Sequence, residues 1–138
     1  MAVISSELRQ LVWTRAGGSC EYCRMPNDFD PLPFAVDHIR PQYHHGPTVA
    51  ENLCVSCFNC NTFKAVNVAG HDPDTGKLTA LFHPRTDDWD AHFSWDGPHL
   101  RGLTAIARTT IDVLRINLPE RMEHRRLLLE LGVFPVSR

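Results

Sequence analysis

The chain has 138 residues, 43% of them hydrophobic and 22% charged, a globular composition that excludes disorder, fibrous repeats and multiple large domains. Fourteen Lys and Arg against sixteen Asp and Glu leave a net charge of −2 at pH 7, which excludes a protein that coats nucleic acid by charge alone. No run approaches the roughly 18 to 20 apolar residues of a membrane span and MAVISSELRQ lacks signal-peptide order, so one cytoplasmic domain with no membrane association is expected.

Ser5-Ser6-Glu7 opens a helix, with a serine as cap and an acidic residue in the first turn. Leu8, Leu11, Val12 and Ala16 recur at helical spacing, and Gly17-Gly18 stops the run. Residues 25–33, MPNDFDPLP, are turn chemistry. Phe34 to Ile39 reads as a strand ended by Pro41, QYHHGPT as a loop, and Leu53 to Ser56 as a second strand. A short helix is expected from the residues after it to about Ala65. HDPDTG is a hairpin turn; it opens like a calcium loop but lacks the closing Glu. Leu78–Phe82, His92–Trp95 and Leu100–Leu103 are expected as antiparallel strands, their aromatic residues as core. Thr104–Ile116 reads as a helix. Asn117 is expected to cap a last helix ending at Gly132, with Glu120 as its third helical residue. From 101 to 138 there are seven arginines against four acidic residues, so the C-terminal third is the basic end.

Five cysteines without an export signal do not read as a disulfide framework. Cys20-x-x-Cys23 and Cys57-x-x-Cys60 supply four thiolates to one tetrahedral zinc, each pair gripping the ion from a tight turn. Cys54-x-x-Cys57 is the competing register. The 57/60 pair is preferred because LCV before it resembles a strand entering a knuckle, which leaves Cys54 as a buried thiol. Rubredoxin-like iron takes the same ligands, and scattered core cysteines are the bland alternative.

Between and beside the pairs stand Asp37, His38, Asn52, Asn61 and Lys64. His38 suits a general base, with an unperturbed pKa near neutrality. Asp37 and Asn61 offer oxygen donors, which favour Mg²⁺ or Mn²⁺. The strings CEYC, FAVDHIRP, HHGPTVAENL and CFNCNTFK resemble the HNH (ββα-metal) endonucleases, in the branch with a four-Cys zinc, as a His-Asn-Asn variant. The resemblance covers about residues 10–66. It implies a ββα core tied by structural zinc; with the elements read along the chain, the expected fold is α+β, with an N-terminal helix and a 67–138 extension of short antiparallel strands and two helices. It also implies hydrolysis of DNA phosphodiesters, with His38 as base, Asp37 and Asn61 on the catalytic cation, and Asn52 holding the opposite strand and orienting His38 by a hydrogen bond. On the residues alone, Asn52 also reads as a turn residue satisfying backbone and Asn61 as a helix cap.

Lys64 and Arg40 are expected at phosphates, against the alternative of solvated surface charges. Arg121 and Arg125 share a face of the last helix and are read as further phosphate contacts, against the alternative of a solvated face. A non-catalytic zinc module for nucleic acid or protein is the competing function. The sequence leaves the oligomeric state open.

Overall fold

The computed structural model describes residues 3–135. Helix α1 (Ser6–Ala16) starts where Ser5 Oγ accepts the Leu8 N–H at 3.1 Å and ends at Gly17, whose φ of 66° suits glycine. Its buried Val12 and Ala16 pack on the strand pair β1 (Ala35–His38) and β2 (Leu53–Ser56), which run antiparallel with Asp37 opposite Cys54 and His38 opposite Leu53. Arg15 ties α1 to β2 by donating to the carbonyls of Ala50 and Leu53 at 3.0 and 2.8 Å.

The first cysteine knuckle docks on the other edge of β2. Glu21 N–H donates to the Val55 carbonyl, and Glu21 Oε2 accepts the Val55 N–H at 2.8 Å. Helix α2 (Phe58–Lys64) follows β2 directly and is capped by Cys57, whose sulfur accepts the Cys60 N–H. The strand, loop, strand, helix order is therefore as expected, with β1 one residue shorter at each end.

Among the described residues the extension holds two more hairpins and three helices, one helix more than expected. Strand β3 (Ala69–His71), unanticipated, pairs with β4 (Leu78–Ala80) across the Asp72 turn. His92 is not in a strand: it ends the one-turn helix α3 (Trp89–His92), and β5 (Phe93–Asp96) pairs with β6 (His99–Gly102). Helix α4 (Ala105–Val113) is capped by Thr104 and α5 (Pro119–Glu130) by Leu118. Asn117 does not cap α5, and Glu120 is its second residue. The Asn117 side chain instead pairs with both backbone groups of Leu100 at 3.0 and 2.9 Å, holding β6.

Trp89, Phe93, Trp95, Phe82 and Phe134 form one chain of ring contacts. Trp89 Nε1 donates to the Tyr22 carbonyl at 2.8 Å, which locks the extension onto the knuckle. The aromatic residues are core, as their spacing among short strands implied. The fold is α+β, and among the described residues no helix is long and apolar enough to cross a membrane.

Candidate functional site

Strand β2 and the knuckles bring the sulfurs of Cys20, Cys23, Cys57 and Cys60 within 4.8 Å of one another, all buried, with Cys23 and Cys57 at 3.7 Å. A tetrahedral zinc with bonds of about 2.3 Å separates its sulfurs by about 3.8 Å, so the set fits structural zinc. Hydrogen bonding to Cys20 and Cys23 pushes the Cys57 thiol up, whereas bonding to Cys20 and Cys57 pulls Cys23 down. Binding a divalent ion here accordingly displaces protons. Cys54 lies outside the cluster, and burial pushes its thiol well up, leaving a neutral, inert group.

Both arginines expected at phosphates on α5 face inward. Arg121 Nη2 reaches Asp30 Oδ2 at 3.2 Å and Cys57 Sγ at 3.6 Å, with 13% of its side chain exposed. Burial works against its charge, and the sulfurs of Cys23 and Cys57 together with Asp30 more than offset it. Arg125 is 0% exposed. It donates to the carbonyls of Pro98 and Ile116 and to Asn117 Oδ1 at 2.7, 3.1 and 2.9 Å, and stacks over Trp95. The first is a donor beside the metal cluster and the second a structural pin. Neither the phosphate reading nor the solvated-face reading fits them.

At the end of β1, Asp37 and His38 are both half-buried and turn to different neighbours, as alternation along a strand requires. His38 Nε2 lies 2.9 Å from Thr48 Oγ1. Asp37 faces α2, where Lys64 Nζ approaches Oδ2 to 3.4 Å. Lys64 is 2% exposed and also donates to the His38 carbonyl at 3.1 Å. It is a buried strut under the site rather than a surface contact. Asn61 sits one turn before Lys64 on the same face of α2, half-buried. Arg40, two residues beyond His38, is exposed.

Asn52 does not hydrogen-bond His38. Its Oδ1 accepts the Arg40 N–H at 2.9 Å, and its Nδ2 donates to the carbonyls of Arg40 and Pro47 at 3.0 and 2.8 Å. It therefore closes the 40–48 loop that carries Thr48 to His38. Gly46 is obligatory in this loop, because a Cβ there would lie 1.7 Å from the Arg40 carbonyl oxygen. Thr48 was present in HHGPTVAENL but carried no signal of its own, since a hydroxyl partner for an imidazole has no fixed spacing.

Burial pushes the Asp37 carboxyl up, with Lys64 and His38 acting against it. Its Oδ2 is buried and makes no hydrogen bond, the Lys64 approach being a charge contact only. A hard oxygen donor without a hydrogen bond fits a divalent cation such as Mg²⁺ or Mn²⁺.

The HNH endonuclease family model matches residues 20–65, the segment holding all four zinc-site cysteines, Asp37, His38, Asn52 and Asn61. The chain is 26% identical over 116 residues to the Septu protein PtuB of Bacillus thuringiensis, an alignment covering 83% of this chain and 42% of that protein. The chain thus aligns with less than half the length of that relative. No solved structure matches it.

Proposed function

We propose, taking the family match of residues 20–65 as premise, that the protein is a metal-dependent endonuclease that hydrolyses phosphodiester bonds in DNA. The observation that carries the reading is the half-buried Asp37 carboxylate, whose Oδ2 is buried without a hydrogen bond and which is next in sequence to an imidazole held by a hydroxyl. When bound by Asp37 and Asn61, Mg²⁺ or Mn²⁺ supplies Lewis-acid polarisation of the phosphodiester. His38 takes the proton of the attacking water. With Nε2–H given to Thr48 Oγ1, the lone pair on Nδ1 is the base. Asn52 acts at one remove, by fixing the loop that carries Thr48. Lys64 fixes the orientation of the Asp37 carboxylate, and exposed Arg40 contacts a backbone phosphate. Water adds at phosphorus as the 3′ oxygen leaves and takes a proton from solvent, giving 5′-phosphate and 3′-hydroxyl ends. The four-cysteine zinc holds the fold and touches no substrate.

One observation favours a non-catalytic zinc module instead: the ammonium of Lys64 already stands against Asp37. Plasmid nicking with Mg²⁺, Mn²⁺ and EDTA, run beside metal analysis and Mn²⁺ binding by electron paramagnetic resonance, separates the two. The nuclease reading expects nicking with either ion, none with EDTA, and Mn²⁺ binding lost in Asp37→Asn. Absence of nicking and of Mn²⁺ binding by a zinc-loaded protein would establish the module.

A further inference from the structure

A cavity of about 500 Å³ opens between the ββα core and the extension. Two of its wall residues belong to the candidate site. Arg40 stands two residues from His38, and Lys64 donates to the His38 carbonyl at 3.1 Å. The opposite wall comes from the extension, with Phe82, Ile106 and Val68 supplying apolar surface. His83 lines it too and is tightly oriented. Its Nδ1 accepts the N–H groups of Arg85 and Thr86 at 3.1 and 3.3 Å. Nδ1 is therefore unprotonated and the ring proton is on Nε2, a donor that the loop does not use. An apolar chamber of this size with a few oriented polar groups has the character of a small-ligand site.

We infer that this cavity takes one unstacked nucleobase of the substrate, beside the phosphodiester held at Asp37 and His38. The inference rests on the nuclease reading and adds the substrate class, a strand with a base free to leave its stack. A nucleobase matches the chamber in three respects. It is flat and largely apolar on its faces, and Phe82 and Ile106 offer that contact. It carries carbonyl or ring-nitrogen acceptors, and His83 Nε2–H is a donor. It is tethered to a phosphate, and Arg40, an exposed cation two residues beyond His38, lines the chamber. A base paired within a duplex cannot enter, so the pocket selects single strands, frayed ends or flipped positions.

The test compares binding of a fluorescein-labelled thymidine 12-mer with that of an abasic 12-mer carrying the same phosphates, by anisotropy of the full chain without added divalent ion. Two variants are run beside the parent. Val68→Trp fills the mouth from a position that is 43% exposed, and His83→Asn keeps an acceptor for the loop N–H groups but is too short to place a donor where Nε2 stands. The parent is expected to prefer the thymidine strand by at least about tenfold, and both variants to bring the two strands within about twofold. Equal binding of the two strands by the parent overturns the inference, as does a preference that survives in both zinc-loaded variants. Hydrolysis of bis(p-nitrophenyl) phosphate, a diester without a base, reports on the nuclease reading separately. Its absence together with an intact, cavity-dependent base preference leaves the pocket standing and removes the enzyme.

Discussion

Replacing Asn52 by Ala tests whether this residue acts on the loop or on the imidazole. The side chain is 93% buried by its 7% residual exposure and makes three hydrogen bonds, all to backbone groups of Arg40 and Pro47. Truncation leaves one N–H and two carbonyls without partners. A buried unpaired polar group costs about 1–3 kcal/mol. Arg40 is exposed, so water reaches part of this loop and the lower bound applies to each group, giving about 3 kcal/mol in total. Urea unfolding of the zinc-loaded protein should show that loss, with a melting temperature lower by roughly 10 °C. Asn52→Asp keeps the acceptor for Arg40 N–H but sets a carboxylate against two carbonyls, and is expected to be no more stable than the alanine variant. Cleavage should fall in both, because Thr48 no longer sits at His38. The signature is that Thr48→Val reproduces the cleavage defect without the stability loss. An Asn52→Ala protein of parental stability would refute the loop-clamp reasoning. A hydrogen bond from Asn52 to the imidazole would then be the better explanation of any cleavage defect.

The inward arginines give two further predictions. Arg121→Gln removes a cationic donor from a cluster that carries two net negative charges when zinc is bound, so zinc release to a chelator is expected to accelerate about tenfold, followed by a colorimetric metal indicator. Arg125→Met leaves the Pro98 and Ile116 carbonyls unpaired and takes one of two donors from Asn117 Oδ1, which keeps the Leu100 N–H, and should cost about 2–4 kcal/mol in urea, with DNA affinity of the folded fraction unchanged. A loss of affinity with parental stability in either variant would restore the phosphate reading. Stripping zinc with a strong chelator should unfold residues 10–66, seen as loss of helical circular dichroism. Acid stability tests the Asp72–Arg108 pair, in which the guanidinium holds the carboxyl well below the usual carboxylate range. A depressed folded value stabilises above the unfolded pKa of about 3.9 and is lost as pH falls further. The stability difference between parent and Asp72→Asn should therefore be constant near neutrality, shrink below about pH 4 and vanish in stronger acid.

The part of the fold that rests on local rules was legible in the chain. Ser5 and Gly17 bound α1 because capping is local chemistry, and the CxxC spacing marks the knuckles because a metal dictates its own ligands. The β1–β2 hairpin and α2 followed from that frame, and Cys54 fell outside the cluster as LCV implied. Strand β3 was not legible: Ala69-Gly70-His71 has neither alternation nor β-branched residues and is a strand only because β4 pairs with it. Charge misled most. Lys64, Arg121 and Arg125 read as solvent-facing by type, yet each is buried against acceptors drawn from distant parts of the chain. Asn117 has cap chemistry, and its use on Leu100 is likewise set by a strand that the local sequence does not announce. Of the candidate site, the residue types were legible and their division of labour was not, because Thr48 and the backbone targets of Asn52 are defined only by how the 40–48 loop closes.

The most direct measurement is the rate of plasmid nicking by His38→Ala at matched zinc content and matched melting temperature, with Mg²⁺ present. Loss of a general base predicts a rate lower by about 10²- to 10⁴-fold while Mn²⁺ binding at Asp37 and Asn61 persists. A His38→Ala protein that nicks as fast as the parent would contradict the account, because cleavage would then proceed without the imidazole assigned as its base.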